Sequence, residues 1–338
     1  MSKTEDRIID LTGKALAGGA LGREELVFLF SADPHLPAAG YLRAAADQIS
    51  RTACGGEAEV HAQIGLNTAP CPKNCLFCAF AAANGVFRKS SELPLEEAVG
   101  MALRAEAEGA NAIFIMATAD YPFGRFVETA REIRSRLHPE SVMVANVGDF
   151  DAAEGRRLKE AGFAGIYHAV RMGEGVKTAI PPERRLATFR AAEESGLLLG
   201  TCVEPVGPEH PAEELAEKTL IGREASPRYS GSARRISIPG SSLSEEGMIS
   251  EFKMAYQVAV VRLAMGYQVR GNCTHEPNLL GAASGANLFW AEAGANPRDT
   301  RAETAEGRGL GAAACRKILE EADYRVLDGP SRIYGSGN

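Results

Sequence analysis

The feature that most restricts the fold of this chain is an alternation that begins near residue 61. Short apolar segments recur at residues 61–66, 112–116, 142–146, 165–168, 198–203, 235–239, 267–271 and 286–290. Most are separated by stretches with apolar residues three and four apart, the spacing of a helix face. Leu95, Val99, Ala102, Leu103 and Ala107 form one such face; Leu186, Phe189 and Ala192 form another, opened by Pro181-Pro182 and closed by Gly196. Met248, Phe252, Tyr256, Ala259 and Leu263 give a third. Eight strands alternating with helices predict an α/β fold, a (β/α)8 TIM-type barrel, with a Rossmann-like sheet as the alternative. The gaps around residues 271–286 are short for a full crossover and predict an irregular last repeat.

The first ~60 residues read instead as helices. Ile8, Leu11, Ala15 and Leu16 make one face, Leu26, Leu29 and Phe30 a second, and residues 41–49 a third; Pro34 and Gly55-Gly56 punctuate them. The expected organisation is a helical segment over 1–58, a barrel over 59–325 and a tail over 326–338. With 338 residues, 45% hydrophobic and 24% charged, the chain is long enough to bury a large core.

A net charge of −7, without a basic stripe, disfavours nucleic acid as a partner. No apolar run approaches the ~18 residues of a membrane span. Residues 1–10, MSKTEDRIID, are too acidic for a signal peptide, so the expected location is cytoplasmic. Seven cysteines, three of them within eight residues, suit reduced thiols holding a metal better than a disulfide framework.

Those three are Cys71, Cys75 and Cys78 in CPKNCLFCAF, directly after the first strand candidate. Thiolates are the usual ligands of iron–sulfur clusters, and one loop can place three of them on three corners of a cubane. A structural zinc knuckle or free thiols are the alternatives, but zinc ordinarily takes four ligands and no second CxxC is present. The CxxxCxxC spacing resembles the signature of the radical S-adenosylmethionine (SAM) superfamily. The resemblance implies a [4Fe–4S] cluster with one iron free to chelate SAM, whose reductive cleavage yields a 5′-deoxyadenosyl radical that takes hydrogen from a substrate. It also implies that Phe77 packs beside the adenine. An electron donor such as flavodoxin or ferredoxin is implied as well, along with a small-molecule substrate; a homodimer is left open.

The preceding helices and the stretch GANLFWAEAG at residues 285–294 resemble the biotin synthase-like branch, which includes the [FeFe]-hydrogenase maturase and methylornithine synthase. Biotin synthase holds a second cluster on cysteines of strands two, three and five and an arginine of strand seven. Here the strand-two and strand-three regions, IFIMAT and VMVANV, carry no cysteine. Cys202 and Cys273 nevertheless fall near strand ends, candidates for a second iron–sulfur cluster with His275 or Cys54, or small buried apolar fillers.

By the same resemblance, Ala117 and Thr118 after strand two meet the methionyl amino group. Arg171 pairs with the carboxylate and His168 and Glu174 meet ribose or substrate, unless these form an ordinary ion pair. Glu204 meets the adenine or a cationic substrate group, or is a solvated loop residue. Arg270, Asn272, Thr274, His275 and Glu276 form a polar run suited to a substrate pocket. Residues 296–300 either close the same mouth or cap the last helix through Asp299 or Thr300. Gly309-Leu310-Gly311 with Ala314 follows no strand and is set aside as a dinucleotide fingerprint. The function expected is a radical SAM enzyme of cofactor or amino-acid-type biosynthesis, by rearrangement or fragmentation. The alternatives are sulfur insertion from a second cluster and a non-catalytic metal-binding module.

Overall fold

The computed structural model describes residues 2–300 and 309–335. Eight parallel strands form a closed barrel: β1 (Glu57–Gly65), β2 (Ala112–Met116), β3 (Val142–Asn146), β4 (Phe163–Tyr167), β5 (Leu198–Gly200), β6 (Tyr229–Arg234), β7 (Gly271–Thr274) and β8 (Leu288–Gly294). The register of Gly65 with Gly294 closes the ring between β1 and β8. The ring is narrowest in pairing between β5 and β6, joined only by Gly200 and Tyr229; after a break, Val203–Val206 resumes pairing with β6.

Three helices precede the barrel: α1 (Lys3–Leu16), α2 (Arg23–Ser31) and α3 (Pro37–Cys54). The first six strands are followed by α4 (Leu95–Ala107), α5 (Phe123–Arg136), α6 (Ala152–Glu160), α7 (Pro182–Glu194), α8 (Ala212–Glu224) and α9 (Glu251–Met265). Only the single turn α10 (Leu279–Ala282) joins β7 to β8, the irregular last repeat expected, and α11 (Ala312–Glu321) follows β8. The leading helices cover the ring: α3 lies on α9, α1 on α3 and α2 on α8. Every residue of α9 from Met254 to Met265 is consequently buried, which its run Val258–Ala259–Val260–Val261 requires. On α4 the buried residues are Ala98, Val99, Ala102 and Ala105, while Leu95 and Leu103 of the expected face are exposed, as is Met248 ahead of α9. Among the described residues, no helix is long and apolar enough to cross a membrane.

Two strands lie elsewhere than their apolar residues suggest. The sixth was expected at 235–239 and runs through Tyr229–Arg234, sequence YSGSAR. Ile236 and Ile238 are apolar because they pack at the barrel mouth. The seventh was expected at 267–271, but Gly266–Gln268 is a 3-10 turn closing α9 and the strand is the polar GNCT of Gly271–Thr274. Its Asn272 is buried, with its amide donating to the carbonyls of Val258 and Gly285 and its Oδ1 left without a partner among the described residues.

The bottom of the barrel is plugged by the segment after Arg325–Val326, a short strand that pairs with the start of β1. Glu59 accepts hydrogen bonds from the backbone amides of Arg332 (2.8 Å) and Ile333 (3.0 Å) and lies 2.9 Å from His61 Nε2. Tyr334 is buried against Gly165 and Gly200: a Cβ at Gly165 would stand 2.5 Å from its ring and one at Gly200 2.6 Å from its hydroxyl. These glycines are spaces for an aromatic plug. Around the upper rim a second buried group ties the loops after β3 and β4 to α7. Asp149 Oδ1 lies 3.0 Å from His168 Nε2 and 3.2 Å from Arg185 Nη1, and Arg185 Nε lies 3.1 Å from Glu174 Oε2. Burial pushes the His168 imidazole down to about 4, against the pull of Asp149.

Two outcomes follow for stability. Tyr334→Ala empties the plug and should cost about 3–5 kcal/mol in urea unfolding; a loss below about 1 kcal/mol would show that the plug is not part of the core. An unfolded His168 takes its proton near pH 6.5, the folded one near 4. Between those values the unfolded chain binds more protons, so stability falls as pH is lowered through that window, by about 3 kcal/mol from this residue. His168→Gln should flatten the pH dependence of unfolding there; an unchanged slope would assign it to other groups.

Candidate active site

All eight strands run in one direction, so the loops following them gather at one end. The cysteine loop after β1 is held there by its own backbone and by two neighbours. Cys71 N–H donates to Phe80 O at 2.7 Å and Ala82 N–H to Cys71 O at 3.1 Å. Asn74 takes a left-handed turn (φ 46°) and its side-chain oxygen accepts from Ala83 N–H, while Asn84 donates to the carbonyls of Leu76 and Cys78. Outside the loop, Leu76 N–H donates to Lys177 O (2.9 Å), Ala179 N–H to Lys73 O (2.9 Å) and Ala79 N–H to Pro297 O (2.7 Å). The loop therefore hangs between the segments that follow β4 and β8.

Cys71 is buried, Cys75 and Cys78 are half-buried, and all three line one cavity. Burial pushes the thiol of Cys71 up to about 11 and that of Cys78 up to about 12, and raises Cys75 as well. Burial thus keeps them protonated and argues against a nucleophilic thiolate among them. Among the described residues, the set of metal-type donors that all lie within 4.8 Å of one another is Cys202, Cys273 and His275, not the three loop cysteines. The three loop thiols are not all within 4.8 Å of one another and line a shared cavity instead. This fits an iron–sulfur cluster and disfavours a zinc knuckle.

The cavity has a volume of about 150 Å³. Phe77 lines it, with Ala117 and Thr118 after β2, Arg171 after β4, Glu204 after β5 and His275 after β7. The amides of Ala117 and Thr118 are already engaged, by Asn146 O (3.1 Å) and Asn67 Oδ1 (2.9 Å), and the Thr118 carbonyl accepts from Tyr121 N–H (3.0 Å). Glu204 is not a solvated loop residue. It is buried, accepts a hydrogen bond from the Tyr167 hydroxyl, and lies 3.7 Å from Arg171 Nε and 3.3 Å from His275 Nδ1. Burial opposes its charge, but His275, Arg171, Tyr167 and Arg298 together hold the carboxyl below its ordinary range.

Other expected site residues lie outside the cavity lining. His168 points away from it into the Asp149–Arg185 group, and Glu174 sits one layer back, where it accepts from Thr178 Oγ1 (2.7 Å) and Arg171 N–H (3.1 Å) and so fixes the turn that carries Arg171. Arg270 lies at the opposite end of the barrel, 3.7 Å from Glu57, and Asn272 is a buried strand residue bonded to backbone; their positions do not offer the substrate contact expected of them. Cys54 closes α3, away from the other thiols. Cys202 and Cys273 do meet, with sulfurs 2.7 Å apart. Burial opposes ionisation of both: Cys202 stays well above the ordinary thiol range, whereas Cys202 and His275 draw Cys273 down to about 6.

Sequence reading missed Gln63, Asn146, Tyr167, Arg185 and Arg298, all of which line the cavity. The 296–300 segment closes the mouth and does not cap the last helix: Asn296 N–H donates to Asp299 Oδ2 (2.9 Å), and α11 begins after Gly311, with Gly309-Leu310 ahead of it. Arg298 donates to His275 O (2.8 Å) and to Glu292. Its Nη1 is buried without a partner among the described residues.

A family model described as the radical SAM superfamily matches residues 68–218. Biotin synthase of Salinispora tropica is 26% identical over 270 residues, which cover 76% of this chain and 80% of the relative. Biotin synthase of Myxococcus xanthus is 25% identical over 250 residues, 68% of this chain and 70% of its own. In fold, the chain superposes on the FeFe-hydrogenase maturase HydG from Carboxydothermus hydrogenoformans with a TM-score of 0.77 at 20% identity, over 97% of this chain and 81% of that one. Methylornithine synthase (PylB) gives 0.75 at 18% identity, over 96% and 98%. With the cysteine loop at the mouth of a closed parallel barrel, these likenesses mark the chain as an enzyme similar to the radical SAM superfamily over residues 68–218 and to biotin synthase over most of its length.

Proposed function

We propose that this enzyme holds a [4Fe–4S] cluster on Cys71, Cys75 and Cys78 and reductively cleaves SAM to act on a small, charged substrate by rearrangement or fragmentation. The observation that carries the reading is a set of three spread, proton-holding thiols on one wall of a cavity whose other walls collect Arg171, Glu204 and Arg298. When bound, the cluster and SAM supply a 5′-deoxyadenosyl radical that takes a hydrogen atom from the substrate, with the electron delivered by a donor such as flavodoxin or ferredoxin.

The chain's own residues orient the partners. Phe77, between the second and third cysteines, offers an apolar face to the adenine. The backbone of Ala117 and Thr118 lines the cavity where the methionyl ammonium would sit, and Arg171, held by the Glu174 turn, offers its guanidinium to the carboxylate. Arg298, with one nitrogen unpaired in the wall, is suited to an anionic group of the substrate, and Glu204 to a cationic one. The mouth segment with Pro297 leans on the cysteine loop and keeps water from the reacting atoms.

Sulfur insertion in the manner of biotin synthase is less well supported. The barrel-interior positions of β2 and β3 beside Cys202 and Cys273 are Phe114 and Val144, which offer no ligand to a second cluster.

Anaerobic reconstitution is expected to yield four irons per chain and 5′-deoxyadenosine when a reductant and SAM are added. Replacing Cys71, Cys75 or Cys78 by Ala should abolish that product; cleavage that survives any of these changes overturns the cluster assignment. Arg171→Gln should retain the irons while kcat/KM for SAM drops by about 10–100-fold, the loss of a charge-assisted hydrogen bond of about 1.5–3 kcal/mol. An unchanged constant would place the carboxylate elsewhere.

A further inference from the structure

The reading above leaves two buried thiols unused. Cys202 sits at the break after β5, Cys273 within β7, and His275 just beyond β7. Cys202 Sγ lies 2.7 Å from Cys273 Sγ and 3.7 Å from His275 Nε2, and the three donor atoms all lie within 4.8 Å of one another. We propose that Cys202, Cys273 and His275 bind a single thiophilic divalent cation, of the zinc or ferrous iron class, in the barrel interior beneath the active-site cavity.

The donor set is the first reason. Two sulfurs and an imidazole suit zinc or ferrous iron, whereas magnesium and calcium prefer oxygen. The second is the orientation of the ring. His275 Nδ1 faces Glu204 Oε2 at 3.3 Å, leaving Nε2 toward the sulfurs. A carboxylate holding one nitrogen while the other meets a metal is the recurrent way of fixing a ligating histidine.

The backbone supplies the third. β6 runs between the strands carrying the two cysteines, and its Gly231 is the register partner of Cys273. A Cβ at Gly231 would stand 2.1 Å from Cys273 O. The absent side chain lets β6 lie directly against the backbone of Cys273, in the strand pair that carries this thiol. At 2.7 Å the sulfurs stand beyond the bond length of a disulfide, about 2.05 Å, and an ion bonded at about 2.3 Å to each is taken up by opening that contact. Apolar fillers would have no reason to bring two sulfurs inside packing contact.

The nuclearity follows from what surrounds the group. Phe114, Val144, Tyr229 and Trp290 share the interior with the thiols. Three protein ligands with one position left over describe a mononuclear site open to water or a substrate heteroatom, not a cluster of two or more irons.

The site is independent of the cysteine loop and can be read separately from it. Holoprotein carrying its four-iron cluster is titrated anaerobically with zinc, desalted and analysed for both metals. One zinc per chain is expected, its K-edge fine structure showing two sulfurs at about 2.3 Å and a nitrogen at about 2.0–2.1 Å. Cys202→Ser and Cys273→Ser should each weaken zinc binding at least 100-fold, and Glu204→Gln by about 10–100-fold, with four irons retained as the sign of a folded barrel. Where a variant loses its irons too, the wild-type fine structure decides alone. Substoichiometric zinc, a three-sulfur zinc shell, two or four extra irons with matching sulfide, or a Cys202–Cys273 disulfide would overturn the proposal. A chain that shows the two-sulfur zinc shell yet assembles no cluster and cleaves no SAM would sink the proposed function and leave this site standing.

Discussion

The mouth of this barrel depends on the contact where the last strand closes against the first. Gly65 and Gly294 face each other in register there, and a Cβ on Gly65 would stand 2.1 Å from Ala295 O. Only glycine lets the two backbones approach so closely. The consequence is local and large: the loop leaving β1 and the loop leaving β8 become neighbours, and the amide of Ala79 reaches Pro297 O. Three cysteines on a free loop would be flexible ligands. Strung between the segments after β4 and β8, they become one rigid wall of a cavity, with donors fixed before any metal arrives.

The opposite wall is organised by a charge. A carboxylate as buried as Glu204 pays a large desolvation penalty unless several partners share it. Tyr167, Arg171, His275 and Arg298 do so, one each from the ends of β4, the turn after it, the end of β7 and the loop after β8. Four separately placed elements are thereby locked to one group. Arg298 is also tied to Glu292 and to the backbone of His275, so the mouth loop and the floor move together. Two carboxylates, Glu204 and Glu292, thus share the wall with Arg171 and Arg298, and the cavity offers charges of both signs to a ligand.

How much of this was legible follows from the pleat and from polarity. Segments such as AIFIM and VMVAN are apolar throughout, and β2 and β3 lie where they read. YSGSAR and GNCT are small and polar because their strands line a crowded interior with tyrosine, glycine and cysteine, so hydrophobicity misplaces them. The displacement of β7 by about four residues explains two site residues at once: Arg270 and Asn272, read as lying past a strand end, lie before and inside one, and Arg270 emerges at the wrong end of the barrel. His168 fails for a subtler reason. Side chains alternate across a strand, so with Tyr167 turned into the cavity its neighbour turns out toward α7. Arg185 was invisible because nothing local tells a first-turn arginine of an outer helix that the helix N-terminus leans over the mouth.

The three loop cysteines, by contrast, could be read from spacing alone, because a tripod on one loop needs no knowledge of the fold. The pair Cys202 and Cys273 needed all of it. They are 71 residues apart, arrive from segments on either side of β6, and meet only in the closed barrel. Sulfur therefore appears at two levels of one barrel with different reach: spread at the mouth, where it frames a cluster-sized space, and drawn together below, where it frames an ion-sized one. Glu204 stands between the levels, one oxygen on Tyr167 and Arg171, the other on the histidine that faces the lower sulfurs. A change of charge at the lower group must then be felt by the carboxylate, and through it by the guanidinium offered to the ligand above.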